Sequence, residues 1–324
     1  MAFNTGTGAQ VAIGKESSWG VAVADTMLIN FNSESLAPSV EKKEEDNLIA
    51  SKAAAAYDLT GIKVSGDISA ILKPENAGFI FKAALGGTDT VVQNFGSVTG
   101  QHQHTIVAAA ASGNLPSYTL FVNRKQATKK YSGMKVDSLG IDAKAGDYVR
   151  FSATFKGKDE ASGSITTSTV PSKKSYKFIG ATVTAGGTSL EFTSAKLTVA
   201  NNLDDGIQTS ASGSYYTEPM HKKRKISISI EMPYETNAET IRSTNLLAET
   251  LLSSVVLHLE SPEIIASTSK YRMDVTLNNV AVLECKVNVG GDGILVASIT
   301  GEATAVGAVE PISAVIYDNT STAY

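Results

Sequence analysis

The chain has 324 residues, 42% hydrophobic and 19% charged, with 28 Lys+Arg against 32 Asp+Glu and a net charge of −4. That length suits one large or two ordinary domains, and the composition is too apolar for general disorder. The balance lacks the clustered positive charge that tight nucleic-acid binding requires, and the only cysteine, Cys285, excludes an intrachain disulfide.

The start, Met1 to Gly6, has neither a basic n-region nor an apolar core, so no signal peptide is expected. No window approaches the ~20 apolar residues that span a bilayer. Folding in a cytoplasm and no membrane partner are the expectations.

Residues 1–26 are rich in Gly, Ala and Thr around the landmark Trp19-Gly20, and read as an N-terminal arm. Met27 to Phe31 is the first strand. The polar stretch 32–60 carries the run Glu41-Lys42-Lys43-Glu44-Glu45-Asp46 and the alanines Ala53 to Ala56, and reads as a long connection. Residues 62–72 alternate apolar and polar, as a half-buried strand does. Pro74-Glu75-Asn76 breaks that strand, with Asn76 as N-cap of a helix from Ala77 to Leu85 ended by Gly86-Gly87. Phe79, Ile80, Ala83 and Ala84 give the helix an apolar stripe. Within 88–114 only His104 to Val107 reads as a strand. Tyr118 to Val122, Lys135 to Ala143 and Tyr148 to Lys156 follow as strands, the last two joined by a short hairpin turn.

A Ser/Thr-rich linker follows. Beyond it, Ser189 to Val199 and Lys225 to Met232 are strands, and a helix is expected over Ala238 to Ser253. Strands at Val255 to Glu260, Tyr271 to Leu277, Ala281 to Val289 and Leu295 to Gly301 complete the second half. Ile312 to Tyr317 could add one more.

The second half repeats the order of the first. The Asn-Ala pairs at 76 and 237 are 237 − 76 = 161 apart, and the hydrophobic entries Ile29 and Leu190 are 190 − 29 = 161 apart. A duplicated domain is the natural reading, with 88–114 as an insertion in the first copy. The fold class is therefore all-β with short flanking helices, in two tandem β-sandwich or barrel domains. The expected divisions are an arm over 1–26, a domain over 27–160, a linker over 161–184, a second domain over 185–305 and a C-terminal arm over 306–324.

Neither copy offers a catalytic constellation. His102 and His104 share a strand face without a third ligand in sequence, so an exposed polar segment is preferred to a metal pair. His258 reads as a surface strand residue. No nucleophile elbow, phosphate loop or zinc-protease motif occurs. Asp204-Asp205-Gly206 and Gly290-Gly291-Asp292-Gly293 lack a calcium ligand ladder and read as turns. Cys285 lies in a strand pattern and reads as a small buried hydrophobe. No catalytic residue, cofactor or metal is assigned. A duplication without chemistry points to a building block that assembles.

The sharpest charge feature is His221-Lys222-Lys223-Arg224-Lys225. It could contact nucleic acid, be a solvated strand entry, or meet the acidic run Glu41, Glu44, Glu45, Asp46 of a neighbouring subunit and fix register. The candidate contact residues are those four acids, Lys222, Lys223, Arg224, Lys225 and Trp19.

The chain resembles the major tail tube proteins of long-tailed, siphophage-like bacteriophages. The resemblance is carried by Gln10 to Gly20, by the strand–turn–helix block 62–85, by Leu115-Pro116-Ser117-Tyr118-Thr119-Leu120, by Tyr131 to Val136, and by Leu139 with the Asp142 to Val149 hairpin. It covers most of 10–160, and 185–305 more weakly. The resemblance implies a β-sandwich-like barrel flanked by a helix, with sheets of neighbouring subunits joined around a lumen and rings stacked through long loops and arms. It implies a virion structural protein, assembled in the host bacterial cytoplasm, whose tube carries DNA during ejection without specific binding. Its partners would be copies of itself and the tape measure, tail tip and terminator proteins. Two domains per chain favour a trimer that imitates a hexamer, with a hexamer as the alternative. An acidic lumen would repel phosphates. The rival readings are a head decoration or tail terminator protein, or a surface adhesin or carbohydrate-binding β-sandwich.

Overall fold

The structure is a computed structural model that describes residues 5–45, 56–110, 113–289, 292–307 and 309–324. The first half contains β1 (Gln10–Lys15), β2 (Met27–Ile29), β3 (Phe31–Glu34), β4 (Ala37–Glu44), β5 (Tyr57–Ile71), α1 (Pro74–Leu85), β6 (Gly86–Val92), β7 (His102–Ala108), β8 (Tyr118–Asn123), β9 (Thr128–Lys144), β10 (Arg150–Gly157) and β11 (Asp159–Ser162). The second contains β12 (Ala181–Ala185), β13 (Thr188–Leu190), β14 (Ser194–Ala200), β15 (Lys225–Pro233), α2 (Thr236–Thr240, running on as a π-helix over Ile241–Leu247), β16 (Leu252–Ala266), β17 (Ser269–Asn288), β18 (Val296–Ala303) and β19 (Ile312–Asp318). Every pairing between these strands is antiparallel. The all-β class with short helices is therefore as the sequence indicates.

Alternation builds the main sheet. Phe151, Ala153 and Phe155 of β10 point inward while Ser152 and Thr154 point out, and Ile226, Ile228, Ile230 and Met232 of β15 repeat the device. The strands run in the order β4, β5, β10, β9, β14, β15, β18, β17. β9 and β17 are long enough to belong to two layers. The first part of β9 pairs with β8 and β11, and the first part of β17 with β16 and β19. One apolar core runs through both halves, from Phe81, Leu139 and Phe155 to Leu197, Ile228, Leu257 and Val275. Because it is continuous, neither half presents a separate core to solvent.

The order of pairings occurs twice. β1 lies between β2 and β8, as β12 lies between β13 and β16. β5 pairs with β10 and β10 with β9, as β15 pairs with β18 and β18 with β17. Each set carries a β-bulge in the same place. Asp137 is skipped between Ser138 and Val136 opposite β10, and Leu283 is skipped between Glu284 and Val282 opposite β18.

α1 begins earlier than expected. Pro74 occupies its first position, and Asn76 stands inside the first turn, where its Oδ1 accepts the Lys73 N–H at 3.0 Å. Gly86 ends the helix at φ 76°, a conformation that glycine adopts without a Cβ penalty. α2 stops short of Ser253. Asn245 donates to the Thr250 carbonyl at 3.0 Å and the Thr250 hydroxyl donates to Thr244 O, so these side chains take over the backbone bonding and the chain enters β16 at Leu252.

Three segments expected outside the domains carry sheet. β1 lies within 1–26 and is buried along Val11, Ala12 and Ile13. β12 begins within 161–184. β19, within 306–324, is held between β17 and β7. The stretch 88–114 gives two strands rather than one. Much of the polar stretch 32–60 is also strand: β4 and the start of β5 form a two-stranded arm exposed on both faces, Val40, Tyr57 and Leu59 included, so no buried alternation marks it. Ala53 to Ala55 lie outside the described residues.

Candidate functional site

The outward face of the main sheet is rich in hydroxyls. One register row reads Ser69, Ser152, Gly140, Thr198, Ser227, and the next Ile71, Arg150, Asp142, Lys196, Ser229, Thr300, Glu284. Its charges are largely matched locally. Lys63 reaches Glu41 and Asp205 at 3.2 Å each, Lys156 reaches Asp205 at 2.9 Å, Lys225 reaches Glu302 at 3.2 Å, and Lys286 pairs with Glu284. The face is polar and mixed in sign, in contrast to an acidic carpet.

In its middle, β9 and β14 join the two halves of the chain over Ser138–Lys144 and Ala200–Ser194. The bulge residue fastens this seam. Asp137 O accepts the Asn201 N–H at 2.7 Å and its Oδ1 accepts the Leu203 N–H at 2.6 Å.

The sheet ends in two open edges among the described residues. One is the outer side of β3 and β4, which pair only with β5. The other is the last part of β17, from Ala281 on, which pairs only with β18. Beside the β3 edge lies a groove of about 620 Å³ lined by Gly6, Ala9, Phe31, Ser33, Glu34 and Arg124. Arg124 holds Glu34 with two bonds of 2.7 and 2.8 Å, which fixes that wall. Beside the β17 edge, Leu283, Val289 and Ile294 are 54%, 76% and 85% exposed. Unpaired strand edges with exposed apolar side chains are templates for another chain.

The expected contact residues scatter over this framework. Glu41 accepts the Tyr216 hydroxyl at 2.6 Å, and hydrogen bonds from Tyr216 and Lys63 hold its carboxyl below the usual range. Glu44 accepts the Tyr57 hydroxyl at 3.2 Å, Glu45 is exposed beyond β4, and Asp46 lies outside the described residues. Lys222 and Lys223 are exposed. Arg224 turns inward, with Nε on Asn201 Oδ1 at 2.8 Å and Nη2 on Leu85 O at 3.2 Å, capping the end of α1. Trp19 donates from Nε1 to Gly133 O at 3.0 Å and lies beneath Lys158. Arg224 and Trp19 thus serve the fold of their own chain. Nothing in the run of five basic letters distinguishes the one that reaches a helix end.

His102 and His104 are both buried, against the expectation of an exposed segment. His104 lies between Asp89 at 3.1 Å and Asp318 at 3.4 Å. His258 pairs across strands with Asp274. Among the described residues no group of three or more His, Cys, Asp or Glu could hold a metal ion, and no helix is long and apolar enough to cross a membrane. The arrangement offers edges, a groove and a polar face, which suit it to joining other chains.

The family described as phage tail tube protein matches residues 6–303, nearly the whole chain. No curated protein matches it.

Proposed function

From the premise that this chain belongs to the phage tail tube protein family, we propose that it polymerises as stacked rings of three copies into the tube through which DNA leaves the virion. As a tail tube protein it is a structural component of the virion tail, built to associate with itself and with other tail proteins. Each chain brings two tube domains, so three chains supply six positions around the ring. The observation that supports this reading is the β9–β14 seam, a sheet junction between the two halves of one chain. The open β17 and β3 edges stand where the same junction would close between chains. A heterologous contact of this kind makes a ring when the rotation closes.

The hydroxyl-rich face then lines the lumen. Ion-paired charges and hydroxyls give a passing phosphate backbone no concentrated positive field, so no counterion release drives adhesion. Assembly in the host cytoplasm, with the tape measure, tail tip and terminator proteins as partners, completes the proposal. Negative-stain electron microscopy of the purified protein at rising concentration tests it. Hollow tubes whose rings show three-fold symmetry with six similar lobes are expected. Compact particles at every concentration would overturn it.

A further inference from the structure

Phe31 lines an open groove at one sheet edge, and Ile294 stands exposed beside the other. The two bulges are 283 − 137 = 146 positions apart. The same spacing sets Leu139 beside Cys285, Ala143 beside Val289 and Tyr148 beside Ile294. Both turns keep the same length, since Asp142 pairs with Arg150 and Asn288 with Val296, eight positions in each case. Their surroundings differ sharply. Ala143 is fully buried and Tyr148, 42% exposed, pairs with Lys177, whereas Val289 is 76% and Ile294 85% exposed.

The neighbours of the first hairpin within the chain are β14 and an aromatic cleft. β14 pairs with Ser138–Lys144, and Phe192 and Phe178 line the cleft beside Tyr148. The counterparts of these elements lie at the open β3 edge. Ala37 stands opposite Ser65 on β5 as Ala200 stands opposite Lys225 on β15, each one residue after an inward-facing side chain, Leu36 and Val199. In the letters Phe31 precedes Phe192 by 192 − 31 = 161 positions, as Ile29 precedes Leu190, and the register then shifts, since Phe31 stands opposite Ala70 whereas Ala195 stands opposite the matching Ile230. The Phe31 groove therefore lies beside the edge that corresponds to β14, and Val289 and Ile294, at the positions of Ala143 and Tyr148, are uncovered.

We infer that β17 of one copy adds to the Phe31–Ala37 edge of a second copy, antiparallel, with Glu284 opposite Ala37 and Cys285 opposite Leu36, and that Ile294 enters the groove beside Phe31. The occupant is a second copy of this chain. The inference rests on the ring proposed above and adds the strands, the register and the anchoring side chain.

Cysteine cross-linking of the full chain in a Cys285→Ser background tests it. Glu284→Cys with Ala37→Cys is the test pair, and Ser138→Cys with Ala200→Cys, facing each other within one chain, is the control. On mild oxidation of concentrated protein, the test pair is expected to link copies into a ladder ending at three chains. Glu284→Cys with Ser33→Cys, four residues out of register, is expected to link at least tenfold less. Rings or tubes that assemble without linking, while the control pair closes, would overturn the register and leave the ring standing. Protein that never assembles would remove both. Separately, Ile294→Asp is expected to lower the yield of assembled protein at least tenfold with no change in Tm, since the side chain is exposed in the single chain. Undiminished assembly of that variant would overturn the groove contact.

Discussion

His104 and Asp318 meet across the β7–β19 pair, Nε2 to Oδ1 at 3.4 Å, with both side chains shut off from solvent. Burial alone pushes the imidazolium down, but hydrogen bonds to Asp318 and Asp89 outweigh it and raise the pKa to about 10. The folded value stands above the unfolded one of about 6.5. The stability it contributes is therefore fully present below about 6.5 and is lost as pH rises through about 10. Urea unfolding of wild type is expected to show stability falling across that window. His104→Gln should flatten the dependence and lower stability at neutral pH, and an unchanged slope would refute the assignment.

Arg224→Ala is expected to destabilise the protein by about 2–3 kcal/mol, because a charged donor to Asn201 and Leu85 O is removed from a largely enclosed site. Lys223→Ala, at the adjacent and exposed residue, is expected to stay within about 0.5 kcal/mol of wild type. Chemical denaturation of the pair separates the inward member of the basic run from the outward ones.

Gly78 lies in α1 under the Tyr324 ring, and a Cβ there would stand 2.0 Å from that ring. Alanine in place of glycine ordinarily favours a helix by about 1 kcal/mol. Here Gly78→Ala is expected to cost about 1–3 kcal/mol, since the ring must move. Combined with Tyr324→Ala, the glycine substitution should lose most of its penalty, which a double-mutant cycle measures directly.

Trp19 is the only tryptophan of the chain, so its fluorescence reports one place. Trp19→Phe removes the bond to Gly133 O and is expected to cost about 1 kcal/mol. Lys158→Ala should shift the emission of Trp19 without unfolding the protein, because the ammonium lies 5.3 Å from the ring centre.

Alternation made the buried strands legible. β10 and β15 bury every second residue, and both are visible in the letters. The single offset of 161 was only partly so. It holds for Ala77 with Ala238 and for Ile80 with Ile241, but inward-facing Ile68, Ala70 and Leu72 match Ile228, Ile230 and Met232 at 160. One more residue separates Met232 from Ala238 than Leu72 from Ala77, and a one-residue slip reverses the face of a strand. The β4–β5 arm could not be read, because an exposed two-stranded ribbon buries nothing. The same holds for the open edges. An edge is defined by which partner is missing, and pairing across more than a hundred residues leaves no local mark. The charge runs drew attention to Lys222 through Lys225, while the apolar Val289 and Ile294 drew none, being ordinary letters for a strand end.

β19 pairs on one side with β17 and on the other with β7, which stands more than 200 positions earlier in the sequence. During synthesis β7 leaves the ribosome long before its neighbour exists. Its pairing, and the burial of His104 that goes with it, must wait for residues 312–318. Contacts of such separation slow folding, so this closure is expected late in folding. Until then β7 has only β6 beside it and presents a third sheet edge, which disappears once the strand is seated.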